Sequence, residues 1–170
     1  MVRGALVFKE YWKNQSATEK AFFPGGWFRT GDLARIDSDG FVTILDRLKD
    51  IIIRGGENIS CAEVEDAAYK HDAVAEAAVF SLPHPRYGEE VGMAVVVREG
   101  AALPSYEGMR QFLICHLAAF KVPSRLFRWP DKALPRGGTG KVLKREVKKR
   151  VEAAGAGIVE LRSAVGKSRL

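Results

Sequence analysis

The organisation of this 170-residue chain can be inferred from Asp46–Ile59, whose sequence is DRLKDIIIRGGENI. The polar residues at its start separate two apolar regions and indicate a domain boundary. Next, Ile51–Ile53 predicts a short buried strand, and the pair Gly55-Gly56 predicts a loop after it. Because strand and helix patterns alternate beyond this point, we expect the stretch to introduce a small α+β domain.

The residues upstream of this stretch predict a helix and a β-hairpin. Ser16–Glu19 fits a capping box and predicts a short helix that ends near Phe23. Leu33–Asp37 and Phe41–Leu45 flank an Asp-Gly turn, which is a strong hairpin signal because both residues tolerate positive φ. We interpret residues 1–46 as a separate region built around this hairpin.

The residues downstream predict a small α+β sandwich, a short sheet flanked by helices, over 47–150, followed by a basic tail over 151–170. Hydrophobic periodicity and capping residues define its elements. In chain order these are a helix capped by Ser60, strands over Val74–Phe80 and Val91–Val97 separated by a loop at Pro83–Gly88, a helix capped by Ser105, a strand over Leu126–Trp129 and a basic helix over Leu143–Ala153.

Composition limits the class of protein. With 46% hydrophobic and 28% charged residues, the chain reads as globular, and its apolar runs are far too short to span a bilayer. No apolar signal core follows Met1, so we expect a cytoplasmic protein. Cys61 and Cys115, the only cysteines, lie in helical patterns, and we predict that both are buried or half-buried thiols in a reducing cytoplasm.

Charge is unevenly distributed along the chain. From Lys121 to Leu170 there are 14 basic and 4 acidic residues, whereas the chain as a whole has a net charge of +6. This basic third favours an anionic ligand, although a solvated helix face explains the count equally well. Only Phe127 and Trp129 supply aromatic rings there, which disfavours a nucleic-acid-binding module.

The three histidines predict no metal site, because His71, His84 and His116 are too scattered in the sequence to form a convincing zinc site. His116 lies at helical spacing with the apolar residues of its segment. We therefore interpret it as a residue at the edge of the core rather than as a ligand.

Three segments, taken in order, resemble the C-terminal signature blocks of the adenylate-forming superfamily, which includes acyl-CoA synthetases, luciferases and peptide-synthetase adenylation domains. They are Gly26–Leu33 (GWFRTGDL), Asp46–Ile59 and Leu134–Lys141 (LPRGGTGK). The resemblance runs from about Val2 to Arg150. It implies that the α+β region is the mobile C-terminal lid domain, and that the hairpin is the tail of a large N-terminal domain.

The resemblance also implies roles for individual residues. It places Asp32 at the ribose hydroxyls of ATP, a task suited to an acceptor-only carboxylate, and Arg47 at the nucleotide. It makes Lys49 the hinge between one arrangement for adenylation and another for thioester formation. It also implies that Arg54, Gly55, Gly56 and Glu57 belong to the loop that lines the pantetheine tunnel for CoA.

Lys141 is the strongest catalytic candidate. The preceding Gly137–Gly140 is small enough to deliver a long cation into a closed site. A lysine ammonium can hold a carboxylate against the α-phosphate and stabilise charge on the phosphoryl oxygens, and the resemblance implies this role for Lys141. A P-loop is excluded because Pro135 and Val142 occupy positions that require Gly and Ser or Thr.

The implied activity is that of an AMP-forming acid–CoA ligase. A fatty or other carboxylic acid reacts with ATP and Mg²⁺ to give acyl-AMP and pyrophosphate, and the thiol of CoA then displaces AMP. The family's phosphate-binding loop and acyl pocket lie upstream, so we expect a C-terminal fragment, natural or truncated, that is inactive in adenylation without its N-terminal domain. Open alternatives are an adenylation enzyme that loads a carrier protein, a non-catalytic remnant of the family and a nucleic-acid-binding module.

Overall fold

The computed structural model describes residues 1–153 and 157–161 and divides the chain into two compact units. The first unit is Met1–Lys49, and the second begins at Asp50. The division therefore falls three residues beyond the boundary predicted after residue 46. Helices and strands are mixed, which confirms the predicted α+β class.

The first unit contains one helix and two small antiparallel sheets. Its elements are α1 Gln15–Ala21, β1 Phe22–Phe23, β2 Trp27–Phe28, β3 Asp32–Ile36 and β4 Val42–Arg47, followed by a 3₁₀ turn at Leu48–Asp50. The predicted hairpin is confirmed as β3 and β4. Its turn is held by the Asp37 carboxylate, which accepts the N–H groups of Asp39 and Phe41 at 3.0 and 2.8 Å.

The predicted cap of α1 was wrong. The helix is capped by Asn14, whose side-chain oxygen accepts the N–H of Ala17 at 3.0 Å, and Ser16 lies inside the helix. Asparagine is as good an N-cap as serine. The capping-box spacing of Ser16 and Glu19 therefore pointed to the right helix and the wrong first residue.

The second unit is a sheet with helices on both faces. In chain order its elements are β5 Ile51–Arg54, β6 Glu57–Ser60, α2 Cys61–Tyr69, β7 Val74–His84, β8 Gly88–Val97, α3 Tyr106–Ile114, a 3₁₀ turn at Ala119–Lys121, β9 Arg125–Arg128, α4 Lys144–Glu152 and β10 Val159–Leu161. β8 is central: it pairs antiparallel with β7 along its length, parallel with β9, and with β5 at Gly88. At the two edges of the sheet, β6 pairs antiparallel with β5, and β10 pairs antiparallel with β9.

Alternating strand residues supply two separate cores. Val79 and Met93 face α2 and α3 in one cluster, whereas Ala78 and Ala94 face α4 in the other. This alternation follows from the two-residue period of a strand, since neighbouring side chains point to opposite faces. The N-caps predicted for α2 and α3 are confirmed, because Ser60 and Ser105 accept the N–H groups of Glu63 and Gly108.

Several strand predictions need correction. The predicted loop Pro83–Gly88 is shorter than expected, because β7 and β8 take up half of it and leave a three-residue turn. Within β5 only Ile52 is buried, since Ile53 is 56% exposed on the other face. β6 was missed because Glu57 and Asn58 are poor strand formers. β10, which pairs with β9, was missed within the predicted basic tail.

The ends of α3 and α4 also differ from the expectations. α3 ends at Ile114, so Cys115 and His116 lie beyond it and are exposed, contrary to prediction, whereas Cys61 is buried as predicted. Leu143 precedes α4 as its N-cap and is 45% exposed instead of joining the apolar stripe. Within residues 1–153 and 157–161, no helix has the length and apolar character needed to cross a bilayer.

Candidate functional site

Asp32 and Arg47, the two predicted nucleotide ligands, lie side by side in the first unit. They are register partners across β3 and β4, and Nε of Arg47 donates to Oδ1 of Asp32 at 2.8 Å. The side chains are 21% and 50% exposed, respectively. A carboxylate has about four acceptor sites, so this one ion pair leaves capacity for ribose hydroxyls. The two side chains therefore form a preformed ion pair, and their role as nucleotide ligands stays a prediction.

The backbone around Gly31 fixes the position of Asp32 at the start of β3. Gly31 has φ of +74°, a conformation that glycine adopts without strain, and its carbonyl accepts the N–H of Leu48 at 2.8 Å. The N–H of Asp32 donates to the hydroxyl of Thr30 at 3.2 Å. The bond from Leu48 to Gly31 ties the start of β3 to the end of β4, where Arg47 lies, and the bond from Asp32 to Thr30 holds the turn before β3.

Lys49, the predicted hinge, is an exposed residue of the 3₁₀ turn and the last residue of the first unit. A pivot between domains must change its backbone torsions without disturbing packed side chains. An exposed residue at the division between two units meets that requirement. Its role as a hinge stays a prediction.

The turn between β5 and β6 consists of Gly55 and Gly56, and it is flanked by the paired residues Arg54 and Glu57. These four residues are called the Arg54–Glu57 turn. Both glycines have positive φ, +60° and +93°, which is the requirement of a type I′ hairpin turn. The N–H of Gly55 donates to the carbonyl of Tyr87 at 2.9 Å. A Cβ at Gly55 would lie 3.2 Å from Cδ1 of Tyr87, so the turn packs closely on that ring.

The aromatic support under this turn was not foreseen from the sequence. The Arg54 guanidinium lies 4.6 Å from the centroid of the Tyr87 ring, and the His84 ring stacks on Tyr87 at 4.8 Å. Nδ1 of His84 accepts the N–H groups of Arg86 and Tyr87, both at 3.2 Å. About thirty residues separate Arg54 from the turn between β7 and β8 that contains Tyr87, and no local sequence pattern connects the two. The Arg54–Glu57 turn is therefore held in place by the β7–β8 turn.

Lys141 lies at the end of a closed glycine-rich loop in the second unit. The N–H of Gly137 donates to the carbonyl of Lys141 and that of Gly140 to the carbonyl of Gly137, both at 2.9 Å. Arg136 and Val142 form an antiparallel bridge at the base of the loop. The side chain of Lys141 is exposed. The structure thus presents this ammonium on a short, hydrogen-bonded hairpin.

An ion pair holds the helix that follows Lys141. Nζ of Lys144 lies 2.8 Å from Oε1 of Glu65 on α2, and the same carboxylate oxygen accepts the N–H of Val79 on β7 at 2.7 Å. Burial lowers the pKa of Lys144 and the Glu65 carboxylate raises it, and the net result is a raised pKa. Lys144 is therefore cationic at neutral pH and links α4 to α2 and β7.

Many charges of the basic third are paired within the protein. Arg125 pairs with Glu160, Arg136 with Glu76, Lys121 with Glu63, and Arg150 with Asp131 and Glu146. This pairing reduces the field available to an extended polyanion. Within the part of the chain that the structure describes, no three His, Cys, Asp or Glu residues are grouped so that they could hold a metal ion.

Comparison with known proteins gives one consistent answer. Residues 63–141 match the family described as the AMP-binding enzyme C-terminal domain. A feruloyl-CoA synthase of Amycolatopsis is 43% identical over 150 residues, which cover 88% of this chain and 30% of that protein. A long-chain-fatty-acid–CoA ligase of Mycobacterium tuberculosis is 38% identical over 153 residues, which cover 90% and 29%.

A similar solved structure is that of o-succinylbenzoate CoA synthetase from Bacillus subtilis in complex with its acyl-adenylate intermediate. It superimposes with a TM-score of 0.77 at 36% identity, over 86% of this chain and 29% of that one. The chain therefore spans about three-tenths of the length of the proteins it matches.

Proposed function

Because this chain belongs to the AMP-binding enzymes, whose C-terminal domain it contains, we propose that it is the C-terminal part of an ATP-dependent, AMP-forming acid–CoA ligase. In the first half-reaction a carboxylate attacks the α-phosphate of ATP, giving acyl-AMP and pyrophosphate. In the second, the thiol of CoA attacks the acyl carbonyl and AMP leaves. Mg²⁺ enters with the phosphates of ATP.

The observation that carries this proposal is the exposed Lys141 on its closed loop, within a domain that matches the family up to that residue. In the first half-reaction its ammonium holds the attacking carboxylate against the α-phosphate and stabilises the charge that grows on the phosphoryl oxygens. Asp32 accepts hydrogen bonds from the ribose hydroxyls, and Arg47 donates to the nucleotide.

The second half-reaction uses a different part of the same unit. Rotation at Lys49 withdraws Lys141 and brings the Arg54–Glu57 turn to the reaction centre. The paired glycines leave the backbone open, because a Cβ at Gly56 would meet no atom within 4 Å. A narrow pantetheine arm can therefore pass close to this turn.

The acid is selected outside this chain. The chain is 43% identical to an enzyme named for ferulate and 38% identical to one named for long-chain fatty acids, so its sequence favours neither class strongly. A fatty acid and an aromatic acid are equally compatible with this chain, and the large domain determines which acid is used. We assign the enzyme to the cytoplasm, since the low cysteine content, Cys61 and Cys115 alone, suits a reducing compartment.

The test uses the complete enzyme, meaning this chain behind its own large domain. Where a defined acid is needed, the chain replaces the matching C-terminal part of the Bacillus subtilis o-succinylbenzoate CoA synthetase. We expect pyrophosphate release that requires both acid and ATP, then transfer to CoA and not to a carrier protein. The isolated chain should release none.

A matched pair of substitutions tests the nucleotide site. Asp32→Asn should raise the KM for ATP roughly tenfold to a hundredfold, because hydrogen bonds to a charged group contribute about 1.5–3 kcal/mol. Asp39→Asn, at the exposed hairpin turn, should leave that KM within about twofold. A folded complete enzyme without acid-dependent pyrophosphate release, or equal KM values for the two variants, contradicts the proposal.

A further inference from the structure

One carboxylate in β7 reaches the loop that carries Lys141. The pairing of β7 with β8 shifts between Val74 and Glu76, so that Ala75 is the extra residue of a bulge. Oε2 of Glu76 accepts the N–H of Leu134 at 2.9 Å, and Oε1 accepts from Nη2 of Arg136 at 2.7 Å. Bulges commonly redirect a side chain out of the regular ladder. Here the carboxylate binds the segment that leads into the loop.

The guanidinium of Arg136 extends this contact across the loop. While Nη2 binds Glu76, Nη1 donates to the carbonyl of Gly140 at 2.8 Å. Gly140 immediately precedes Lys141 and has φ of +78°. The chain of bonds Glu76–Arg136–Gly140 therefore joins the β-sheet to the peptide group from which Lys141 extends.

This network restricts the conformation of a loop that its glycines leave flexible. Glycines lose more conformational entropy on ordering than other residues, so the direction of Lys141 is poorly fixed by the loop's own sequence. The Gly140 carbonyl belongs to the peptide bond that ends at the nitrogen of Lys141, and holding it restricts where the lysine side chain starts. Arginine can bind two acceptors at once with a rigid fork, which lysine cannot do.

We propose that Glu76 and Arg136 are positioning residues for Lys141 in the adenylation half-reaction. This inference rests on the proposed function, because it assigns to Lys141 the role given above. The two residues contact neither acid nor nucleotide in this proposal; they act through the orientation of the Gly140–Lys141 peptide. A displacement of about 1 Å at a reacting group can cost on the order of a hundredfold in rate.

The chain offers a matched control for the loss of an ion pair. Arg125 pairs with Glu160 at 2.7 Å, and these side chains are 37% and 19% exposed. Arg136 and Glu76 also lie 2.7 Å apart, with exposures of 44% and 20%. The first pair connects β9 and β10, whereas the second holds the loop. Arg125→Gln therefore removes a similar contact from another part of the same sheet.

The experiment measures both half-reactions of the complete enzyme. Arg136→Gln and Glu76→Gln should slow acid-dependent pyrophosphate release roughly tenfold to a hundredfold, with the KM for ATP within about twofold. Thioester formation from supplied acyl-adenylate should be unchanged. Arg136→Lys should recover only part of the lost rate, because one ammonium cannot hold both acceptors. Arg125→Gln should change neither half-reaction by more than about twofold.

A double substitution separates positioning from general bracing. In a Lys141→Ala background, Arg136→Gln should cause no further loss of rate, because its effect passes through the missing ammonium. Additive losses, equal losses in both half-reactions, an equal loss in Arg125→Gln, or an unchanged rate in Arg136→Gln overturns this inference. If Lys141→Ala alone leaves adenylation unchanged, the proposed function itself fails, and that result is distinct from the others.

Discussion

The second unit contains two glycine-rich turns that differ in what their glycines are for. In the Arg54–Glu57 turn both glycines have positive φ, and Gly55 packs against Tyr87. In the Gly137–Gly140 loop, only Gly140 has positive φ, and Gly138 has neither positive φ nor an atom within 4 Å of an added Cβ. The fold requires the first pair of glycines, whereas it does not require Gly138.

This difference is consistent with the role proposed for each segment. The Arg54–Glu57 turn has a backbone conformation set by its own hairpin and by the Tyr87 ring beneath it. The Lys141 loop, closed by its own backbone hydrogen bonds, is anchored to other elements by the Glu76–Arg136 network at one end and by Lys144 with Glu65 after the other. A fixed turn suits a tunnel wall, and an exposed cation on an anchored loop suits a group that enters and leaves.

The largest expected effect comes from the tip of the loop. Lys141→Ala in the complete enzyme should lower acid-dependent pyrophosphate release on the order of a hundred- to a thousandfold, as for loss of one oxyanion donor. Lys132→Ala removes another exposed lysine upstream of the loop and should change the rate by less than about twofold. Equal rates of pyrophosphate release in the two variants would show that Lys141 has no special role in adenylation and that the loop does not differ in function from its surroundings.

A smaller effect concerns the glycines themselves. Gly56→Ala should lower the free energy of unfolding by about 1–2 kcal/mol, because an added methyl group has space but the positive φ is strained. Gly138→Ala should be neutral or stabilising by up to about 1 kcal/mol, since it restricts only the unfolded chain. Urea denaturation of the 170-residue chain, followed by circular dichroism, measures both. Similar costs would show that the fold places the same demand on both glycines.

The smallest effect concerns the anchor after the loop. The raised pKa of Lys144 means that its ion pair with Glu65 stabilises the fold fully below the ordinary lysine value and is lost as pH rises through the raised value. Lys144→Met should therefore cost about 0.5–1 kcal/mol near neutral pH, and the difference from wild type should shrink as the pH rises above the ordinary lysine value. Lys149→Met, at an exposed position of the same helix, should change the free energy of unfolding near neutral pH by less than about 0.5 kcal/mol.

Local signals predicted most of the secondary structure. Ser60 and Ser105 were identified as N-caps because their bonds close within three residues, and the β3–β4 hairpin because its turn chemistry is contained in Asp37–Phe41. β10 was missed because a three-residue strand has almost no periodicity of its own and exists through pairing with β9.

The sequence names the residues of the candidate site but not the contacts that support them. The loop, the turn, Asp32 and Arg47 were named from motif positions and stay predictions as site residues, and the structure shows the elements that hold them. The supporting contacts join residues far apart in sequence: 60 positions separate Glu76 from Arg136. A single sequence carries no record of such a pair, because either residue reads as an ordinary surface charge.

The most direct test of the account is to measure both half-reactions in the Lys141→Ala variant of the complete enzyme. Adenylation is followed by pyrophosphate release, and thioester formation by reaction of supplied acyl-adenylate with CoA. We expect a loss of about a hundredfold or more in adenylation and a change of less than about threefold in thioester formation. Equal losses in both half-reactions, or an unchanged rate of adenylation, would contradict it.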